Sequence, residues 1–234
     1  MIRFYAPDIA ETLRLPEIDS GHCVRVLRMR QGDEIEVTDG RGHIYRCAIV
    51  DPHPKHTLID IRECLEAPLP WTYMLTVAVA PTKHMDRMEW LVEKLTEVGV
   101  NRFVPLLTRH SERKEIKTER LEKIAVSAMK QSLKAIMPEI VPMTPLVEFI
   151  ANDNSAQRFV GYCDDTVERR VLSREITAGR DVSVMIGPEG DFSPEEISAV
   201  IAAGYLPITL GDNRLRTETA ALVSATTVHI INQL

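Results

Sequence analysis

Aromatic residues are scarce in this 234-residue chain: Phe, Trp and Tyr together make up 5%. Cysteine is scarcer still. Cys23, Cys47, Cys64 and Cys163 form no C-x-x-C pair, and their irregular spacing points to reduced, mostly buried thiols. A disulfide framework and a structural zinc site are both disfavoured on that ground. No apolar run reaches the roughly 20 residues that span a bilayer. The uncharged stretch Pro70 to Thr82 contains Pro70, Trp71 and Pro81 and is too short. The opening residues, MIRFYAPDIAE, carry an acidic side chain by position 8 and no hydrophobic segment, so neither a signal peptide nor a membrane anchor is expected. The dinucleotide fingerprint G-x-G-x-x-G and the P-loop G-x-x-x-x-G-K-[ST] are both missing. Positive charge is not in excess either: 28 Lys+Arg stand against 34 Asp+Glu, a formal net charge of -6. Phosphate binding wants a basic surface, so the total alone speaks against a nucleic-acid partner.

The distribution of charge changes that reading. Residues 1–70 carry 9 basic and 12 acidic side chains, residues 83–134 carry 12 and 8, and residues 135–234 carry 7 and 14. Local potential decides binding more than the total does. A polyanion would therefore avoid the acidic C-terminal surface. It would meet the basic middle segment, with Arg109, Arg113, Lys114 and Lys117, and the cluster Arg25, Arg28 and Arg30. Each of these cations is equally compatible with a solvated face.

Hydropathy patterning divides the chain. Asp33–Thr38 alternates, Asp39-Gly40 marks a hairpin turn, and His43–Val50 and Thr57–Arg62 alternate again. His22–Met29 has near-helical spacing. This predicts a small barrel or curled sheet with one helix, followed by a Pro-containing linker at Glu66–Trp71. After the linker the period changes. Tyr73–Ala80 is a continuous apolar run, as in a strand buried on both faces. Met85, Met88, Val92, Leu95 and Val98 trace a helix that Gly99 ends. Phe103–Leu107, Arg158–Cys163, Asp181–Ile186 and Pro207–Leu210 predict further strands. Glu119–Ala135 and Thr217–Leu234 predict helices, and Ser193-Pro194-Glu195-Glu196 reads as a capping box opening another, which Gly204 stops. Alternating strands and helices imply an α/β domain with a parallel sheet. No internal repeat is present.

Two turn-rich loops each follow a buried strand: Ile186-Gly187-Pro188-Glu189-Gly190-Asp191-Phe192-Ser193, and Leu210-Gly211-Asp212-Asn213-Arg214-Leu215-Arg216-Thr217-Glu218-Thr219. Ligands of open α/β sheets bind beyond the carboxyl ends of strands, and glycines let backbone come close to them. These segments resemble the two signature segments of the RsmE family, the SPOUT-superfamily group that methylates N3 of a uridine in small-subunit (16S) ribosomal RNA. The likeness runs the whole length. RFYAP at Arg3–Pro7 and HCVRVLRMRQGDEIEVTDGRG at His22–Gly42 resemble its N-terminal domain, and KHMDRMEWLVEKLTEVGVNRFVPLLTRHS at Lys83–Ser111 resembles the start of its catalytic domain. The sequence departs from the family in two places. Gly211-Asp212-Asn213-Arg214-Leu215-Arg216 stands where members often read G-P-R-[VI]-L-R, and Lys134 stands where Arg is common.

The resemblance implies a PUA-like RNA-binding β-barrel over residues 1–68 and a SPOUT methyltransferase domain over residues 72–234, with a deep trefoil knot. It implies S-adenosylmethionine as cofactor, held by Ile186, Gly187, Glu189, Gly190, Leu210, Gly211, Leu215 and Arg216. It also implies 16S ribosomal RNA as substrate, possible action within the small subunit, a homodimer, and a cytoplasmic enzyme without metal. Arg216 is the first candidate to stabilise charge on a deprotonated uracil. Glu218 is a base, or orients Arg216, or simply favours the first turn of its helix. His84, His110 and the His53-x-x-His56 pair are read as loop or surface histidines rather than ligands. At the level of sequence two alternatives stay open: a methyltransferase of this fold for another RNA position, and an RNA-binding protein that keeps the fold without catalysis.

Overall fold

A computed structural model of the chain describes residues 2–164 and 167–233. The chain divides into two compact units. One holds the chain up to Trp71 together with Val126–Met137; the other holds Thr72–Ala125 and the chain from Pro138 onward.

The first unit is built on β1 (Arg3–Tyr5), α1 (Ile9–Thr12), α2 (Glu17–Gly21), a π-helical turn at His22–Val26, β2 (Glu34–Thr38), β3 (His43–Asp51) and β4 (Leu58–Glu66). The strands form one sheet in the order β1-β2-β3-β4. Alternation in β2 puts Ile35 and Val37 inward, and antiparallel pairing continues through Tyr45, Cys47, Ile49 and Ile59. These side chains close on Phe4, Ile9, Leu15 and Cys23 to make the core. Two register shifts between β3 and β4, at Arg46/Cys47 and Ile49/Asp51, bend the sheet into its curl. The Asp39-Gly40 turn forms as the sequence predicts. Asp39 is buried, accepts the N–H groups of Arg41 and His43 at 2.8 and 3.3 Å, and meets the His43 ring at 2.8 Å.

Two features differ from the sequence reading. β1 pairs in parallel with β2, Phe4 opposite Val37, and three short helical segments stand where one was expected. A three-residue strand with a distant parallel partner leaves no periodic signal in the sequence.

In the second unit, β5 (Leu75–Val79), α3 (Met85–Val98) and β6 (Arg102–Leu107) come first, then α4 (Thr118–Gln131), whose residues from Val126 on belong to the first unit. Next are β7 (Glu139–Ile140), β8 (Thr144–Pro145), α5 (Leu146–Asn152) and β9 (Gln157–Gly161). The chain continues through β10 (Arg170–Val171), α6 (Leu172–Glu175), β11 (Val182–Ile186), α7 (Pro194–Ala202), β12 (Leu206–Thr209) and α8 (Thr217–Gln233). Leu234, read from sequence as the end of α8, lies outside the described residues. The sheet runs β10-β12-β9-β11-β5-β6-β7 with β8 joined to β6, and its strand pairs are parallel. β5 and β11 are buried along their whole length, as their uninterrupted apolar runs require. Ala78, Val104, Val160 and Met185 meet Phe149, Phe192, Ile197 and Val200 in the core.

Helix ends follow local chemistry. Gly99 ends α3 at φ +122°, its N–H bonded to Leu95 O at 2.8 Å. Ser193 and Glu196 form the reciprocal capping box of α7, with Pro194 at its first position. α4 stops at Gln131, earlier than Ala135. Leu133 turns to φ +55°, and the segment joins the first unit: Gly42 N–H bonds Ala135 O at 2.9 Å, Met137 N–H bonds Gly40 O at 2.8 Å, and Lys130 pairs with Asp19 at 2.7 Å.

Candidate active site

β12, β9 and β11 are neighbours and parallel, so the loops that follow them leave the same edge of the sheet. They enclose a cleft of about 1060 Å³. The lining comes from three chain segments: Gly161–Asp164 with Val167 and Arg169, Ile186–Glu189 with Asp191, and Ile208–Glu218 with Ala220; Arg87 of α3 completes it.

Specific bonds join the loops. Asp191 takes φ +57° and bridges two of them, accepting Cys163 N–H at 2.9 Å and its neighbour Phe192 N–H at 2.8 Å. Burial pushes the Asp191 carboxyl above the usual carboxylate range, against the two N–H donors that favour its charged form. Burial, then the Asp191 charge, likewise raises the Cys163 thiol, which is therefore neutral at pH 7. Thr217 Oγ1 donates to Gly187 O at 3.1 Å and ties the start of α8 to the loop after β11. A Cβ on Gly187 would lie 3.0 Å from Asp191 Oδ1 and 3.1 Å from the Phe192 ring, so only glycine fits without displacement. Gly211 sits at φ +118°, where its own side is open, and Thr209 Oγ1 both accepts its N–H and donates to its carbonyl.

Most of the residues singled out from sequence converge here. Ile186, Gly187, Glu189, Leu210, Gly211, Leu215, Arg216 and Glu218 all line the cleft. Glu189 and Arg216 are exposed, and the Arg216 guanidinium has no hydrogen bond or ion pair among the described residues. Glu218 differs: its residue is 7% exposed, Oε1 lies 3.8 Å from Arg87 Nε, and buried Oε2 has no partner. Gly190 stands apart from the lining and faces His110 instead.

The candidate phosphate-binding cations do not form one group. Arg25, Arg28 and Arg30 are exposed on the first unit, around the π-helical turn, with Arg28 at φ +55°. In the second unit Arg109 pairs with Glu195 at 3.1 Å, while Arg113 and Lys114 line a separate hollow of about 450 Å³ with Lys83, Glu112 and Glu115. Sequence reading missed the third loop, after β9, and Arg87. In the sequence Arg87 is one polar position on an amphipathic helix, and no glycine pattern marks residues 162–169.

The cysteine expectation holds in part: Cys23 and Cys47 are buried, Cys64 and Cys163 exposed, and all four are free. Among the described residues there is no group of three or more His, Cys, Asp and Glu side chains that could hold a metal. His53 and His56 stack at 3.6 Å in their turn.

Comparison with known proteins assigns this combination of a parallel α/β sheet and a small curled β sheet to the RNA methyltransferases that carry a PUA domain. Residues 69–229 match the family model of the RNA methyltransferase domain, and residues 16–61 match that of the RNA methyltransferase PUA domain. The ribosomal RNA small subunit methyltransferase E of Aquifex aeolicus is 30% identical over 203 residues, which cover 85% of this chain and 86% of that protein. A probable rRNA-methyltransferase from Porphyromonas gingivalis superposes with a TM-score of 0.95 at 45% identity, over 100% of this chain and 99% of that one. A protein from Legionella pneumophila described as a putative methyltransferase, in complex with the bound cofactor SAM, gives 0.89 at 27% identity, over 98% and 97%. The chain belongs to the ribosomal RNA small subunit methyltransferase E family.

Proposed function

We propose that this protein transfers a methyl group from S-adenosylmethionine to N3 of a uridine in small-subunit ribosomal RNA. The observation that carries the reading is the cleft at the carboxyl edge of β12, β9 and β11, in the part of the chain that matches the RNA methyltransferase family. Its chemistry suits the cofactor. A carboxylate oxygen of Glu218 is buried without a partner, which costs free energy unless a ligand satisfies it. Unpaired Arg216 suits a carboxylate or a developing anion, and close backbone at Gly187 and Gly211 suits the edge of a purine.

Bound S-adenosylmethionine supplies an electrophilic methyl group. Ile186, Gly187, Glu189, Leu210, Gly211 and Leu215 hold and orient it, and Gly190 supports the same turn from behind. Orientation is the largest contribution such a site makes. Uracil N3 must lose a proton before it can accept a methyl group, and the charge then spreads to the flanking carbonyl oxygens. Arg216 stabilises that charge. Glu218, 3.8 Å from Arg87, accepts the proton or holds Arg87 toward the cleft.

Residues 1–68 serve as the RNA-binding domain, with Arg25, Arg28 and Arg30 on phosphates. Residues 72–234 serve as the catalytic domain, with Arg109, Arg113 and Lys114 as its RNA-binding cations. Three features support a trefoil knot in the catalytic domain: the loops after β11 and β12 leaving the same sheet edge on either side of β9, the Thr217–Gly187 bond, and α8 returning against β5 and β11. The exposed Ile230 on α8 and Trp90 on α3 suit a homodimer contact, which light scattering of the purified protein tests. No helix among the described residues is long and apolar enough to cross a membrane, and a ribosomal substrate suits a cytoplasmic enzyme.

The decisive experiment is mass spectrometry of small-subunit RNA nucleosides from a deletion strain and its complement. N3-methyluridine should vanish on deletion and return with the gene. Unchanged N3-methyluridine excludes the assignment.

A further inference from the structure

His110 lies on the loop after β6, in a stretch that no strand pairing holds. Its Nδ1 is 3.1 Å from Gly190 O and 3.0 Å from Asp191 O. Carbonyl oxygens only accept, so Nδ1 carries the proton and donates to both in a three-centre bond. The approach is close as well as polar: a Cβ on Gly190 would lie 3.4 Å from His110 Cβ. The two carbonyls belong to the turn after Glu189, and Asp191 is the side chain that joins this turn to the loop after β9 through Cys163 N–H.

The neighbours of His110 brace it against the same segment. Arg109 N–H donates to Glu196 Oε1 at 2.7 Å, and the Arg109 guanidinium pairs with Glu195 at 3.1 Å. Beneath it, Thr108 N–H bonds Ser111 Oγ at 3.0 Å and Ser111 N–H bonds Thr108 O at 3.1 Å, a closed turn with Ser111 buried. His110 itself is exposed, so an interaction with water was open to it; the protein uses its ring to hold a turn of the cleft wall.

We propose that His110 is a positioning residue for the cofactor-binding turn Gly187–Asp191, setting the conformation in which Glu189 and the Gly187 backbone meet S-adenosylmethionine. This rests on the function proposed above. In the free protein the turn is preorganised by the imidazole N–H, so the cofactor does not have to order it on binding. His110 does not itself line the cleft, and its effect passes through the two carbonyls.

The test compares His110→Ala with His110→Asn, whose amide N–H retains a donor at the same height. Calorimetry with S-adenosylmethionine should show affinity about fivefold weaker for His110→Ala, the equivalent of one neutral hydrogen bond, and within about twofold of the parent for His110→Asn. Hydrogen exchange of the cofactor-free protein should quicken across residues 187–193 in His110→Ala and recover in His110→Asn. Equal affinity and equal exchange in parent and His110→Ala overturn the proposal, as does an Asn variant as weak as the Ala one. If the parent protein itself binds no S-adenosylmethionine, the functional reading fails. The exchange measurement still decides whether His110 holds the turn.

Discussion

Glu218 is the residue whose surroundings make the sharpest demand. A carboxyl oxygen buried without a partner costs a fold free energy, so Glu218 is better placed to meet a ligand than to stabilise the protein. Replacing it by Gln should leave thermal stability unchanged or higher and lower methyl transfer by about a hundredfold. Activity equal to the parent's would remove Glu218 from the chemistry. Arg216→Ala should cost a similar factor through lost charge stabilisation, visible in kcat at saturating cofactor. Asp39 makes the opposite demand, because it is buried for structure. Burial resists its ionisation, but the Arg41 and His43 N–H groups and the His43 ring outweigh that and hold its carboxyl below the usual range. The stability it contributes is therefore complete above the ordinary carboxylate pKa and is lost as pH falls through the lowered one. Asp39→Asn should destabilise by about 1–3 kcal/mol at neutral pH, with the difference from the parent narrowing in strong acid; chemical denaturation at several pH values measures both.

Among the elements, α7 shows how far local sequence reaches. Ser193, Pro194 and Glu196 define its start from four consecutive residues, and the reciprocal capping bonds at 3.2 and 2.9 Å are the result. Ser193→Ala should lower the urea midpoint by the equivalent of about 1 kcal/mol with an unchanged slope. A change in slope would mean that the cap holds more than its own helix. The long strands and helices were legible for the same reason: period-2 and 3.6-residue patterns and glycine stops are local. β7, β8, β10 and α6 were not, since segments of two to four residues carry no period, and the seven-residue α5 went unread as well. α4 was legible to its last turn, beyond which Lys130–Asp19 and the Ala135 and Met137 backbone bonds draw the chain toward partners about a hundred residues away.

For the whole molecule, charge is the governing quantity. A net charge of -6 does not prevent RNA binding when cations are gathered on chosen faces. Affinity for small-subunit RNA should fall steeply with salt. Substituting Arg25, Arg28 and Arg30 together by Ala should flatten the log–log slope by about one for each phosphate no longer neutralised, with cofactor affinity unchanged. An unaltered slope, measured by fluorescence anisotropy, would mean these arginines face solvent only.

By itself the sequence determined the two-part organisation, the long strands and helices, the loops at two strand ends and the family likeness, because each is written in neighbouring residues. Tertiary structure decided what those loops become. Parallel registration of β12, β9 and β11 adds the unmarked loop after β9 to the cleft and lets Asp191 bind it to the loop after β11. It also leaves Gly190 outside the cleft, against His110, and sets Arg87 beside Glu218. Pairings between residues tens to more than a hundred positions apart depend on the sheet order, and no local pattern encodes which strands will lie side by side.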